Sequence, residues 1–548
     1  MIFSFPLCGF QLTFSPEGIH AVYALLSVFA WSLSLSFTPR YLLHHSHRGR
    51  YYFFTLLTFA ATVGVFLSRD LLTTFIFFEI MSFSSFPWVA QEESASALKA
   101  ARSYLAVAVF GGMSTLMGLF WLNHLAGTLD FEGLQAYAES IPNRSVLYIP
   151  SFFAFLGFAA KAGVFPLHFW LPEAHPVAPA PASALLSGLL TKTGVFGMIV
   201  LSVRFFYGDF VWGNALLLLA GVTMLLGAVR AVFSTDLKQT LAFSTMSQIG
   251  FILTGLAFTV LSGRENALAS NGTLLHMINH TLLKLDLFLC AGAVYMNAHT
   301  LNLTELRGFG RKKPLLHICF ALGYLGLIGL PLFNGYLSKS LLHEAIVEYA
   351  ELVPAGRPVY RLYEMLFLFS GGLTAAYMTK LYLCLFWFRN RSADIQKKWD
   401  GMKSYLTPVS AAALLLSAIV LPLLGLFPDL FARSLTEAGI PFLRGEPLSS
   451  SFRWFSSENL LGAAISLTVG AFCCWLIHRF LVPKGEYLNL WPDRLNLADR
   501  FYRPLVKQWL PEALFFCTDK ADTAVDSLLA VIRRFFHRRK KLNSPRRE

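Results

Sequence analysis

Apolar residues run through this chain in long blocks separated by short polar connections, each block about as long as a bilayer is thick. A helix needs roughly 20 mostly apolar residues to cross a membrane. Windows of that kind fall near residues 18–39, 51–67, 70–90, 100–124, 148–172, 182–205, 211–232, 239–262, 270–296, 314–345, 357–388, 405–428 and 457–483. The pattern predicts an all-α polytopic membrane protein with about 13 transmembrane helices, the second of them short for a full span. The N-terminus shows no secretory cleavage pattern and is read as leading directly into the membrane.

Two blocks are interrupted. Pro166 falls inside the window 148–172, and Pro331 falls inside LIGLPLFNGYLSKSLL in the window 314–345. Broken helices at membrane depth occur where the backbone is buried in protein or lines a cavity. In the first the lysine (Lys161) precedes the break, and in the second the lysine (Lys339) follows it. That reversal suggests two inverted five-helix repeats, each with one broken helix. The domain reading is a first segment and helix over 1–50, repeats over 51–205 and 211–388, C-terminal membrane helices over 405–483, and a tail over 484–548.

Composition fits this picture. Hydrophobic residues make up 55% and charged residues 14% of 548 residues, against roughly 25% charged in soluble domains. Cys8, Cys290, Cys319, Cys384, Cys473, Cys474 and Cys517 form no CxxC or zinc-type spacing, so they read as small apolar side chains and imply no cofactor.

Charge gives an orientation. Arg40, Arg48, Arg50, Lys99, Arg102, Arg307, Arg311, Lys312, Lys313, Arg389, Arg391, Lys397, Lys398 and Lys403 fall on one side when the helices are counted through, together with the basic tail. The opposite loops, such as 125–146, are poorer in Lys and Arg. The positive-inside rule makes the basic face cytoplasmic. The net charge of +13 then marks a face near anionic lipid and calls for no nucleic acid. LNLADRFYRPLVKQWLPEALFF and VIRRFFHRRKK make the tail a cytoplasmic amphipathic region with lipid as its partner.

The membrane segments nevertheless carry ionisable residues. A lysine at mid-membrane costs at least about 2.5–3.5 kcal/mol. Glu79, Lys161, Lys192, Lys284 and Lys339 lie in five different segments, which is more than structural ion pairing readily explains. His276, His280 and Lys284 recur at i, i+4 and i+8, on one helical face. The histidine pair has metal-ligand spacing but no third ligand nearby, so no metal is expected. Lys238 lies near a predicted membrane edge, where snorkelling to solvent competes with a buried role. Lys238, Asp286 and His168 are secondary candidates. Burial disfavours an ammonium and a nearby carboxylate favours it, so a buried lysine gains or loses a proton as its partner moves. Glu79 and Lys161 would be such a switch, with histidines passing the proton onward.

FPLHFWLPEAHPVAPAPASALLSGLLTKTGVFGM, DLKQTLAFSTMSQIGFILTGL and HMINHTLLKLDLFLCAG resemble three signatures of one family over roughly residues 15–430. It is the antiporter-like proton-translocating subunits of complex I, Mrp-type cation/proton antiporters and membrane-bound hydrogenases. The resemblance implies pairing of Glu79 with Lys161, a central axis through Lys192, His276, His280 and Lys284, and Lys339 as the terminal residue. It also implies partner membrane subunits, a non-redox role in the parent complex, and a prokaryotic plasma (inner) membrane.

Three departures stand out. Most members have two more helices before the segment that starts here near Phe14, so the chain reads as shortened there. Asp286 stands where the family usually has an apolar or small residue, and the long lateral helix of the distal complex I subunit is not expected. The tail resembles that of the D-like subunits of Mrp-type antiporters. The expected function is proton translocation, or Na+/H+ exchange, within a multi-subunit complex. The competing readings are a non-pumping membrane scaffold and a subunit acting directly on quinone. No cluster-ligating cysteines or nucleotide loop favour the latter.

Overall fold

The computed structural model describes residues 2–7, 10–43, 45–496 and positions 500, 504 and 512. Most of the amphipathic tail expected over 484–548 therefore lies outside the described residues, as do Cys8 and Cys517. The chain divides into Met1–Asn489 and a separate unit, Leu490–Glu548, described mainly by a short turn at Asp493–Leu495.

The larger unit begins with an antiparallel hairpin of β1 (Phe3–Leu7) and β2 (Phe10–Phe14), with Phe3 opposite Phe14. FSFPL and FQLTF alternate apolar and other residues with the period of a strand, a signal too short to stand out beside the membrane blocks. Thr13 ties the hairpin down through its backbone N–H, which donates to Asp70 Oδ2 at 3.2 Å.

Helices follow: α1 (Ile19–Tyr41), α2 (Arg48–Leu67), α3 (Leu71–Val89) and α4 (Ala95–Ala126). At 20 residues α2 is long enough to span, against the sequence expectation of a short one. Next come α5 (Tyr148–Ala162), α6 (Trp170–Val177), α7 (Ala180–Phe205), α8 (Phe210–Phe233), α9 (Leu237–Ser262) and α10 (Ala267–Ala298). Last are α11 (Pro314–Ile328), α12 (Asn334–Leu352), α13 (Arg357–Tyr382), α14 (Pro408–Leu426) and α15 (Ser457–Leu476). Among the described residues 11 helices are long and apolar enough to cross a membrane. The chain is an integral membrane protein.

The two predicted interruptions are real. α5 stops at Ala162 because Gly163 adopts φ +78°, and α11 stops at Ile328 because Gly329 adopts φ +82°. A left-handed glycine after the last helical residue is a common helix stop. Each break turns one predicted span into two shorter helices.

α7, α9 and α10 are buried throughout, whereas the outer helices bury between about a fifth and three-fifths of their spans. Helices apolar all round belong in the centre of a bundle. Glycines bring the backbones close, as small residues do between membrane helices. A Cβ on Gly227 of α8 would lie 2.5 Å from the backbone nitrogen of Ser247 in α9. Acidic caps fix the starts of α3 and α9. Asp70 Oδ1 accepts from Thr73 N at 2.6 Å, and Asp236 Oδ1 accepts from Gln239 N at 2.8 Å.

Candidate functional site

The first cluster forms where α3, α4 and α5 meet. Lys161 lies in the last turn of α5, so its ammonium sits near the negative end of a half-helix dipole. Its Nζ donates to the Tyr104 hydroxyl of α4 at 2.6 Å and lies 4.7 Å from that ring's centre. Tyr104 also hydrogen-bonds Ser85 of α3 at 2.5 Å and packs edge-on against Trp170.

Glu79 of α3 does not close onto Lys161. Its Oε1 is buried without a hydrogen-bond partner, and its carboxylate rests on Gly112 of α4, where a Cβ would come within 2.6 Å. The two side chains still interact through space. The structure thus holds the expected pair apart, with Tyr104 in the carboxylate's place. Phe78, Ser82, Tyr104, Lys161 and Trp170 line a small cavity of about 10 Å³ beside them.

The second cluster occupies the buried core. In α7 a π-helical turn at Leu186–Leu190 immediately precedes Lys192. Such turns shift the backbone register and often mark functional positions. Lys192 Nζ donates to the freed Ser187 carbonyl at 2.9 Å and lies 2.5 Å from His280 Nδ1 of α10. His280 stacks one turn from His276, ring centres 6.4 Å apart. His276 Nδ1 is 2.9 Å from Ser338 Oγ of α12, the residue before Lys339. The Nε2 atoms of both histidines are buried without partners among the described residues. A polar thread therefore runs Lys192–His280–His276–Ser338.

Lys284, on the same face of α10, turns to α9 instead, donating to the Leu241 carbonyl at 3.0 Å and to Ser244 Oγ. Lys339 reaches back from α12 to cap the broken helix before it, donating to the Leu327 carbonyl at 2.7 Å. A carbonyl in the last turn of a helix has no intrahelical donor, and this ammonium supplies one.

The secondary candidates divide. Lys238 is buried and does not snorkel; its Nζ donates to the Ala178 carbonyl at 2.8 Å and faces the Tyr295 ring at 5.1 Å. Asp286 is fully buried but stands off the thread, accepting from Ser417 Oγ of α14 at 3.2 Å. Two residues from Lys284 on the helix, it faces away from that lysine and finds its partner on another helix. His168 lies in the segment between α5 and α6, its ring stacked on Phe165. Pro166 lies in that segment too, and Pro331 lies between α11 and α12.

Sequence reasoning passed over Tyr104, Ser338 and His175. The first two carry no charge and so gave no signal. His175 was visible in EAHPVAP; it is fully buried on α6, stacked on Phe288 at 4.8 Å, with neither ring nitrogen hydrogen-bonded. It also senses the charges of Lys238 and Lys284. Among the described residues no three His, Cys, Asp or Glu side chains group as metal ligands.

Known proteins resemble this chain in sequence and in fold. The family profile described as NADH:quinone oxidoreductase/Mrp antiporter, TM, matches residues 68–355, a span that holds every candidate from Glu79 to Lys339. The D component of a Na+/H+ antiporter from Alkalihalophilus pseudofirmus is 30% identical over 373 residues, 67% of this chain and 72% of the relative. Hydrogenase-4 component B of Escherichia coli is 30% identical over 380 residues, 67% of this chain and 55% of the relative. The A1 component of a Na+/H+ antiporter from Staphylococcus haemolyticus is 28% identical over 512 residues, 90% of this chain and 62% of the relative. The chain thus spans between about half and three-quarters of the length of these relatives.

In fold it resembles a chain of the Mrp complex from Dietzia sp., with TM-score 0.80 and 22% identity, over 100% of this chain and 58% of that one. It also resembles a chain of respiratory complex I from Thermus thermophilus, with TM-score 0.68 and 25% identity, over 81% and 89%. The chain belongs to the NADH:quinone oxidoreductase/Mrp antiporter family of membrane proteins.

Proposed function

We propose that this chain is a proton-translocating subunit of a multi-subunit membrane complex, moving protons alone or in exchange for Na+. The observation that carries the reading is the buried thread from Lys192 through His280 and His276 to Ser338 beside Lys339. Buried ammonium groups without carboxylate partners are costly, and scaffolding alone gives no reason to keep them. Glu79 and Lys161 are the switch, Lys192 the central relay, His276, His280 and Lys284 the second relay, and Lys339 the terminal site. A proton moves when Lys161 exchanges Tyr104 for Glu79, which changes how well its ammonium is stabilised.

Two halves, 51–205 and 211–388, form an inverted repeat in this reading. In its support, each half contains an Asp-capped helix (α3, α9), then a 32-residue helix (α4, α10), then a broken one. The caps Asp70 and Asp236 each bridge to the segment after the long helix, at Asp130 and Asn302. The basic loops face the cytoplasm of a prokaryotic plasma membrane, and the partners are further membrane subunits.

The test is proton transport by membrane vesicles carrying the assembled complex. Lys161→Ala and Glu79→Gln are expected to abolish transport while the complex still purifies intact. Undiminished transport in both would remove the switch and return the chain to the scaffold reading.

A further inference from the structure

Beyond Lys339 the structure holds a set of polar groups that the thread does not use. Lys339 and His343 lie one turn apart on α12, on the same face. Both line a partly open cavity of about 30 Å³ together with Ser340, Asn459 and Gly462. Its wall is mostly apolar, but it has room for about two water molecules, with Lys339, Ser340, His343 and Asn459 as their polar partners. From His343 a continuous series leads outward. His343 Nε2 lies 2.9 Å from Glu364 Oε1 of α13, Arg361 donates to Glu364 Oε2 at 2.8 Å, and Arg361 meets Glu351 at 3.2 Å. Side-chain exposure rises along it, from 14% at His343 and 16% at Glu364 to 35% at Arg361 and 60% at Glu351. The series ends at the connection between α12 and α13. Counted through the helices, that connection lies on the face opposite the basic loops at 307–313 and 389–403.

The C-terminal helix α15 forms the other wall. Asn459 Nδ2 donates to Glu344 Oε2 at 3.2 Å, which holds that carboxylate aside from the histidine. Gly462 stands over the His343 ring, where a Cβ would come within 2.9 Å of Nδ1. The missing side chain leaves this ring edge open to the cavity. With Glu364 Oε1 accepting from Nε2–H, Nδ1 is left as the acceptor, on the ring edge beside Gly462 in the cavity that Lys339 also lines. An ion pair built only for stability has no use for an open second nitrogen.

We propose that His343 and Glu364, walled by α15, are the proton outlet that drains Lys339 to the face opposite the basic loops. The inference rests on the translocation reading and adds its last step. A cavity water takes a proton as a Lys339 Nζ–H bond breaks, and passes it to His343 Nδ1, where a new N–H bond forms. The Nε2–H bond breaks as Glu364 Oε1 accepts that proton. Glu364 releases it to water at the outer face, and the imidazole, left with its hydrogen on Nδ1, turns to present the bare Nε2 to the next proton, whose passage restores the starting tautomer. Arg361 transfers no proton; it positions Glu364. Lys339 and Glu344 on α12 and Glu364 and Arg361 on α13 are the charged groups facing His343.

The experiment uses vesicles containing the complete complex and follows acidification with a ΔpH-sensitive dye. His343→Ala should slow transport at least about tenfold, as loss of a positioned acid–base group does. Millimolar imidazole should restore part of the rate. Glu364→Gln should slow transport similarly without imidazole rescue, and Glu364→Asp should recover part of it. Parent rates in His343→Ala and Glu364→Gln would overturn the outlet. Where His343→Ala fails to assemble, the isosteric Glu364→Gln decides the matter alone. Absence of proton transport in the unsubstituted complex would instead overturn the translocation reading itself.

Discussion

At the first helix break an ammonium, a phenol and a carboxylate converge; at the second an ammonium meets a backbone carbonyl. Both breaks place a lysine at the carbonyl end of a half-helix that stops at a left-handed glycine, Gly163 or Gly329. Lys161 gets there from within the helix, whereas Lys339 comes from the helix beyond and bonds Leu327. Each of Lys161 and Leu327 stands two residues before its glycine. The neighbouring helices differ correspondingly. Nine residues after cap Asp70 stands Glu79, and nine after cap Asp236 stands Thr245. Tyr104 and His276 are each the tenth residue of their 32-residue helices. The first break therefore offers its lysine two acceptors to choose between. Among the described residues no carboxylate acts on the second lysine as Glu79 acts on the first, and the second break offers only an anchor and a cavity. One device holds the charge at both places, but only the first can switch by exchanging partners.

Replacing each lysine by glutamine tests this most severely. Glutamine keeps an N–H donor for Tyr104 or Leu327 but removes the charge. Lys161→Gln and Lys339→Gln should both reduce vesicle proton transport to background while leaving complex yield unchanged. Full transport with Lys339→Gln would show the second lysine to be a helix cap and nothing more. A smaller effect is expected from Tyr104→Phe. Loss of the hydroxyl leaves the buried ammonium short of an acceptor, at a cost of about 1–3 kcal/mol. Lys161 should then turn to Glu79, and transport should slow by about tenfold, equivalent to roughly 1.4 kcal/mol of barrier. Rates equal to the parent's would mean that Tyr104 does not compete with Glu79.

How much of this the sequence contained follows from what each signal is made of. Apolar block length announces the helices, and glycine, proline and charge announce the breaks, because each depends on residues close together in the chain. Lys161 and Lys192 could be picked out because charge in an apolar block is costly wherever it lies. The partners could not. Tyr104 and Ser338 are uncharged and gain meaning only when α4 and α12 bring them to Lys161 and His276. For Lys238 the sequence left snorkelling and burial open for a related reason. A residue at the edge of a block need not lie at the edge of the bundle, and Lys238 is covered by Tyr41 and Tyr295. The N-terminal hairpin was hidden by its five-residue strands.

Asp286 sharpens the comparison from the opposite side, as the buried charge expected to matter least. It lies on α10 two residues from Lys284 yet projects the other way, toward α14 and Gly323 of α11. Its Oδ1 accepts from Ser417, and its Oδ2 has no partner among the described residues. No Lys, Arg or His lies within ion-pair range of it among those residues, so it gives no proton on the thread a place to go. Asn has the same shape, continues to accept from Ser417, and removes the potential charge. Asp286→Asn should therefore leave proton transport within about twofold of the parent, an ordinary outcome for a volume-conserving change. The melting temperature of the purified complex should hold or rise, since an uncompensated buried carboxylate is costlier than an amide. A fall in transport as deep as that of Lys339→Gln would instead place Asp286 on the proton path. The second half of the molecule would then have a carboxylate of its own, and the contrast between the two breaks would fail.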